Sequence, residues 1–457
     1  MFKKVLIANR GEIAARIART CKRLGVATVG IHSEADEGAL HTQAVDVSVL
    51  VGPAAVKDSY LNIEKILAIA KEQGADAVHP GYGLLSEKKH FAQAVIDAGL
   101  TWIGPPVSAL ELLGDKLRSS ETALKVGVPL VPGSPGPVET LEEARAVAAM
   151  YGYPLLVKPV GGGGGIGMTI AKDEAALEKA LESAKNRGAS AFGDARVFVQ
   201  RYVLAPRHIE VQLFADAHGT VVALGERECS VQRRHQKIIE ESPAPAFLNR
   251  EDGAAKRKEI LDCAVRLARE AGYVGAGTAE FIWEDARGEY YFLEVNCRLQ
   301  VEHPVTEAVT GLDLVEWQLR VACGEKLPES WATLEPKGHA IECRIYAEDP
   351  AKGFIPKPGA VDELRWPEGE GIRVDAGVLA GGRVTPYYDP MIAKMITHAK
   401  DRPSAIALCK EALANTHLAP IVTNTSFLRE LVASDEFARG VCDTGFAEIF
   451  AKRAKAG

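Results

Sequence analysis

The chain has 457 residues, 47% hydrophobic and 25% charged, with a formal net charge of −7. That balance belongs to an ordinary globular protein of several structural units and argues against a general nucleic-acid binder. No apolar stretch approaches the roughly 20 residues of a membrane span.

The chain opens MFKKVLIANRG and enters a strand pattern at once. It has no long apolar segment ending in a cleavage site, so no signal peptide is expected, and a cytoplasmic location follows by default. Apolar strands at 5–8, 27–31, 77–79 and 101–103 alternate with helices at 12–24, 63–72 and 91–97. Such alternation predicts a doubly wound parallel sheet. Gly11 suits either the approach of an anion to a helix N-terminus or a tight strand-to-helix turn. The loop HPGYGLLSE (79–87) falls at a strand's C-terminal end, where open α/β sheets bind ligands. Tyr82 there either faces a ligand or plugs the loop.

A connecting helix is expected at 115–125, and Pro129, Pro132, Pro135 and Pro137 mark a linker. Residues 132–202 read as a small unit, with strands at 155–158 and 197–200 and a helix at 174–185. Between them lies the glycine run 161–165, followed by Ile166. It lacks the Lys-Ser/Thr pair of a P-loop, so it reads as a flap whose N–H groups cover phosphates. Lys158, at a strand end, either pairs with a phosphate or is a plain edge lysine.

From 203 onward strands dominate, at 209–214, 221–225, 279–283 and 290–295. The run 226–241, ERECSVQRRHQKIIEE, is either a solvated charged face or an anion site that includes Gln232, His235 and Lys237. The eight cysteines form no CxxC pair and are expected to be reduced and packed, with Cys229 alone in a charged stretch.

Residues 294–307, EVNCRLQVEHPVTE, are the most informative. In an extended backbone Glu294, Asn296, Arg298, Gln300 and Glu302 project from one side, while Val295, Cys297, Leu299 and Val301 face a core. A surface strand alternates in the same way, but seldom with Asn, Arg and Gln set between two Glu. Glu280, Glu294 and Asn296 offer oxygen donors suited to Mg²⁺ or Mn²⁺. No His/Cys cluster has zinc spacing.

Together these segments resemble the biotin carboxylases of the ATP-grasp superfamily over nearly the whole chain. The matching motifs are IANRGEIA (7–14), HSEAD (32–36), HPGYG (79–83), GDK (114–116), the glycine flap, PRHIEVQ (206–212), QRRHQK (232–237) and EVNCRLQVEHPVTE. They continue through IECRIYAEDP (341–350), FIPKPG (354–359) and YYDPMIAK (387–394). The resemblance implies an α/β and α+β ATP-grasp fold. It would comprise a doubly wound parallel-sheet unit (1–114), a linker (115–131), a small mobile lid (132–202) and a larger antiparallel-sheet unit (203–457).

It further implies that Lys116, Lys158 and the backbone of Gly163, Gly164 and Gly165 bind ATP phosphates. His208, Gln232 and His235 would line the nucleotide site, Tyr202 and Val203 would frame adenine, and Ile282, Leu293 and Ile421 would lie against its faces. Glu280, Glu294 and Asn296 would hold two Mg²⁺ ions. Lys237, Arg298, Gln300 and the Val301 backbone would bind bicarbonate, with Glu302 as general base and Arg344, near Tyr82, stabilising the biotin enolate.

Several positions depart from the family pattern. Ile166 stands for a usual Lys or Arg, Gln200 for Glu, Val422 for Lys, Leu84 for Phe, Lys88 for Asn, Tyr346 for Asn and Lys357 for Ser. None of the five methionines is followed by Lys, so the biotinylated carrier motif is absent. The expected partners are a separate biotin carboxyl carrier protein and carboxyltransferase subunits, with a homodimer by analogy and an acetyl-CoA carboxylase of fatty-acid synthesis as the expected context. The chain is expected to be a stand-alone subunit or a piece of a longer one. Two other readings are an ATP-grasp ligase that adds an amine to an acyl phosphate, and a nucleotide-binding assembly or regulatory subunit.

Overall fold

A computed structural model describes residues 1–161 and 167–456. The proposed flap residues Gly163, Gly164, Gly165 and Ile166 lie outside the described residues. Near the N-terminus β1 (Lys4–Ile7), β2 (Ala27–Ser33), β3 (Val47–Gly52), β4 (Ala77–His79) and β5 (Thr101–Trp102) form a parallel sheet of order β3-β2-β1-β4-β5. Sequence reading missed β3, whose positions are mostly half-buried or exposed and carry little apolar signal. The helix Gly11–Arg23 follows β1 through Gly11, whose φ of 66° suits a residue without Cβ. Gly11 therefore serves the turn.

The small unit pairs β6 (Leu155–Pro159) with β7 (Thr169–Ala171) and β8 (Val197–Arg201), covered by helices Leu141–Tyr151 and Glu174–Phe192. Leu155, Val157, Leu177 and Val199 close a core separate from the main one. Each such side chain contributes about 1.5–3 kcal/mol on burial. The unit meets the rest of the protein through β8, where the Arg201 guanidinium grips Glu284 at 2.6 and 3.0 Å and donates to the Tyr291 hydroxyl at 2.8 Å.

The large unit is built on β9 (Arg207–Ala215), β10 (Val221–Arg233), β11 (Gln236–Ser242), β12 (Gly275–Glu284), β13 (Glu289–Asn296) and β14 (His339–Tyr346). With β15 (Ile372–Ala376) and β16 (Met391–Ala399) they make an eight-stranded antiparallel sheet, ordered β13-β12-β9-β10-β11-β14-β16-β15. The main core lies where this sheet, the helix Gly253–Glu270 and the parallel sheet meet. Phe247 packs edge-on against the buried Trp283 there.

The charged run 226–241 is not a solvated face. It forms the hairpin β10–β11 and is largely buried, because its charges are neutralised by neighbours across strands. Arg207 pairs with Glu228 at 2.8 Å, Arg227 with Glu210 at 2.5 Å and Arg233 with Glu348 at 2.7 Å. A second expectation also changes. The strand carrying Glu294 ends at Asn296, so the alternation through Glu302 is not one continuous strand. Cys297 and Leu299 still turn into the core, whereas Val301 is only half-buried.

Candidate active site

The site lies where β9, β10, β11, β12 and β13 approach the turn before the helix His303–Thr310. Lys237, near the start of β11, donates to three carboxylates at once: Glu210 at 2.5 Å, Glu280 at 2.9 Å and Glu302 at 2.6 Å. Burial alone would lower the lysine's pKa, but Glu210, Glu280 and Glu302 hold it well above the usual value. Its ammonium is therefore permanently charged.

Glu302 is fully buried at the N-cap of that helix, with Pro304 in the first turn and Gly311 ending the helix at φ 74°. Proline fits a first turn because its missing N–H has no intrahelical partner to lose. Burial pushes the Glu302 carboxyl up; Lys237, Arg344 and Arg227 outweigh that and hold it below the carboxylate range. Arg344 reaches Glu302 at 3.0 Å and Glu240 at 2.6 Å. Glu302 thus sits ionised between two cations.

The remaining polar residues converge on the same place. Gln300 Nε2 donates to Glu280 at 3.1 Å, and Arg298 Nη2 donates to Asn296 Oδ1 at 3.0 Å. His208 Nε2 lies 3.3 Å from Glu280, and its Nδ1 lies 3.1 Å from Gln232 Nε2. Glu280 and Glu294 are directly paired across β12 and β13, as are Thr278 and Asn296. Burial and the Glu280 charge raise the Glu294 carboxyl, and Lys116 stands 3.7 Å away from it. Two facing acids beside an amide oxygen form an oxygen-only donor set, which fits a hard divalent cation. His208, Glu210 and Glu280 also bring ligand atoms within 4.8 Å of one another, but Lys237 already binds the two glutamates.

Lys158 ends its strand half-buried, and burial together with Lys116 pushes its ammonium down to about 8. Tyr202 donates its amide to Pro154 at 3.0 Å where the small unit joins the large one, and Val203 beside it is buried. Ile282 is two residues beyond Glu280 on β12, and Leu293 is the unpaired residue of a β-bulge, a device that re-aims a side chain. Ile421 packs in the carboxy-terminal core with Val361 and Phe427. His235 stands apart from these residues. It lies exposed on the β10–β11 turn at φ 66°, without a side-chain hydrogen bond or ion pair among the described residues.

On the opposite side, Asn9 Nδ2 clamps the 79–87 loop by donating to the carbonyls of Pro80 at 2.7 Å and Tyr82 at 2.8 Å. A Cβ on Gly81 would meet that amide at 2.9 Å, so the glycine permits the clamp. The Tyr82 hydroxyl donates to Glu12. Cys229 is a packing residue: burial raises its thiol well above the ordinary value.

Sequence reasoning assigned no role to Glu87, Glu210, Arg227 or Lys394. Glu87 accepts the Cys297 amide at 2.9 Å and Arg298 Nε at 3.0 Å. Glu210 shares Lys237, while the fully buried Arg227 donates to Glu210, Gln212, Thr306 and Thr278. Glu87, Glu210 and Lys394 lie inside or beside recognised motifs, which was the available signal. Among the described residues no helix is long and apolar enough to cross a membrane.

Comparison with known proteins agrees with this geometry. The family model described as biotin carboxylase, N-terminal domain, matches residues 1–110, and the biotin carboxylase C-terminal domain matches 342–448. Between them, residues 115–330 match the carbamoyl-phosphate synthase L chain, ATP binding domain. The chain is 45% identical to biotin carboxylase 1 of Bacillus subtilis, covering 98% of this chain and 99% of that one. It is 48% identical to the mitochondrial methylcrotonoyl-CoA carboxylase subunit alpha of Dictyostelium discoideum, covering 98% of this chain but 63% of that longer one. The structure of Campylobacter jejuni biotin carboxylase in a β,γ-ATP complex superposes with a TM-score of 0.92 at 41% identity, covering 98% and 99% of the two chains. The biotin carboxylase domain dimer of Hydrogenobacter thermophilus 2-oxoglutarate carboxylase, solved with MgADP and bicarbonate, superposes with a TM-score of 0.91 at 43% identity, covering 98% of each. The chain belongs to the biotin carboxylase family, ATP-dependent carboxylating ligases of the ATP-grasp fold.

Proposed function

We propose that this protein carboxylates biotin on a carrier protein, using ATP and bicarbonate through a carboxyphosphate intermediate. The observation that carries the reading is Lys237 bridging Glu280 and Glu302, with Gln300 also bound to Glu280. That bridge joins a metal-type donor set to a small-anion pocket. Glu280, Glu294 and Asn296 would hold Mg²⁺ or Mn²⁺, which supplies charge neutralisation at the phosphates when bound. Lys116 and Lys158 bind the phosphate chain electrostatically.

Lys237, Arg298, Gln300 and the Val301 amide hold bicarbonate, and Glu302 takes its proton. A carboxylate held so far down is a weak base by itself. The cations around it must therefore stabilise the carbonate dianion as it forms. That dianion attacks the γ-phosphoryl group, and carboxyphosphate then yields CO₂ and phosphate. The phosphate removes the ureido proton of biotin, Arg344 stabilises the resulting enolate, and its nitrogen captures CO₂. Tyr82 lies at the biotin side.

The carboxyl acceptor is chosen by a partner carboxyltransferase. Our reading is an acetyl-CoA carboxylase of fatty-acid synthesis, acting in the cytoplasm as a homodimer; relatives named for methylcrotonoyl-CoA, pyruvate and 2-oxoglutarate mark the other acceptors to assay. ADP release is measured with and without bicarbonate and with and without biotin. Turnover should require bicarbonate, and Glu302→Gln should lose about 100-fold or more of it while still binding ADP. Release indifferent to bicarbonate would sink the reading.

A further inference from the structure

Lys394 of β16 has a side chain with no solvent exposure, yet it carries an ammonium. That group donates to the Val301 carbonyl at 2.9 Å and pairs with Glu12 Oε1 at 3.2 Å. The Tyr82 ring centroid lies 5.8 Å from it, and the Tyr82 hydroxyl donates to the same Glu12 oxygen. Across β14 and β16, Lys394 stands directly opposite Arg344. One lysine thus joins the first turn of the amino-terminal helix, the 79–87 loop and the turn that carries Glu302.

A buried ammonium is costly unless fully paired, and a methionine would fill the same space without that cost. A methionine can make neither the Glu12 pair nor the contact to the Val301 carbonyl, and the second is the one that reaches the base. That carbonyl shares its peptide plane with the Glu302 amide, so holding it fixes the backbone from which the carboxylate projects. Resting on the carboxylase reading above, we propose that Lys394 is a positioning residue. It locks the Val301–Glu302 peptide plane and, through Glu12 and Tyr82, ties the orientation of the base to the seating of the amino-terminal loop. Lys394 itself touches no reacting atom.

The test separates orientation from folding. Lys394→Met should lower kcat for bicarbonate-dependent ADP release about 100-fold, the scale of a misplaced catalytic group. ADP affinity should stay within about twofold, because the nucleotide residues are untouched. Lys394→Arg, which keeps a cation over the carbonyl, should recover to within about tenfold of the parent. Should Lys394→Met not fold, Glu12→Gln is read instead: lowered kcat at unchanged ADP affinity supports the proposal, and parental kcat overturns it. Glu302→Gln is run alongside. If it is inactive while folded Lys394→Met turns over normally, positioning by Lys394 is wrong and the base stands. If Glu302→Gln is itself active, the carboxylase reading fails first.

Discussion

Glu87 accepts the main-chain amide of Cys297 at 2.9 Å and the Arg298 Nε at 3.0 Å, across 210 and 211 residues of sequence. One carboxylate of the amino-terminal unit thereby fixes both the backbone and the guanidinium of the turn that follows Asn296. Arg298 keeps Nη2 for Asn296 at 3.0 Å. Glu87→Gln keeps the amide contact but removes the charge that orients the guanidinium. The KM for bicarbonate should rise about tenfold, equal to roughly 1.4 kcal/mol, within the range of a charged hydrogen bond. ADP affinity should not change. Steady-state kinetics with bicarbonate varied settles it: an unmoved KM means Asn296 and the Leu299 carbonyl hold Arg298 without the Glu87 charge.

Lys158 gives a proton-linked prediction. Burial and Lys116 lower its ammonium to about 8, so in the free protein it is largely neutral at pH 8.5. Bound phosphates restore the charged form. Nucleotide binding at pH 8.5 should therefore take up about three-quarters of a proton, and almost none at pH 7. Calorimetry in two buffers of different ionisation enthalpy reads the uptake. Lys158→Arg should abolish it, because arginine remains charged throughout.

His79 makes the fold sensitive to acid. Its Nδ1 accepts the Gly81 amide at 3.0 Å, which requires a neutral ring, and burial lowers its pKa to about 4. The unfolded chain takes up the proton near 6.5, so this residue's stability contribution is complete above about pH 6.5 and falls as pH drops towards 4. Between pH 6.5 and 5 the loss is about 2 kcal/mol. His79→Asn keeps an acceptor without a titrating ring, and its urea midpoint should fall less over that range. Comparing the two proteins isolates His79 from Glu240, which burial raises to about 7 and which opposes the trend. Equal slopes would rule out the histidine.

Arg201 should govern how firmly the small unit is held. Its guanidinium pairs with Glu284 and Tyr291 in largely buried surroundings, next to Tyr202 where the small unit joins the large one. Arg201→Met leaves the Glu284 charge without this partner, a change of the kind that costs about 3–5 kcal/mol when a buried pair is broken. The ATP KM should rise about tenfold, and limited proteolysis should cut the small unit sooner. A digestion pattern identical to the parent's would show that the core contacts alone hold the unit.

Much of the architecture was legible because periodicity is local. The helix Ile63–Glu72 and the strand Ala77–His79 matched their expected bounds, since apolar spacing within each window decides them. The row from Glu294 to Glu302 was legible as a convergent polar cluster even though the strand stops at Asn296. What resisted reading was long-range pairing. The run 226–241 was undecided because charges look solvated until their partners on other strands are known. Glu87 and Lys394 acquire meaning only from residues 211 and 93 positions away. His235 lies on an exposed turn at positive φ, a local conformation that the charged run did not reveal.

An ammonium has three protons, and in Lys237 each has a glutamate to receive it. That ammonium is therefore already matched by its own countercharges, and an anion would engage it only by displacing one of the three. On the proposed reading, a cation that draws Glu280 towards Glu294 would free Lys237 for the one-carbon acid, so selectivity would arise in time as well as in shape.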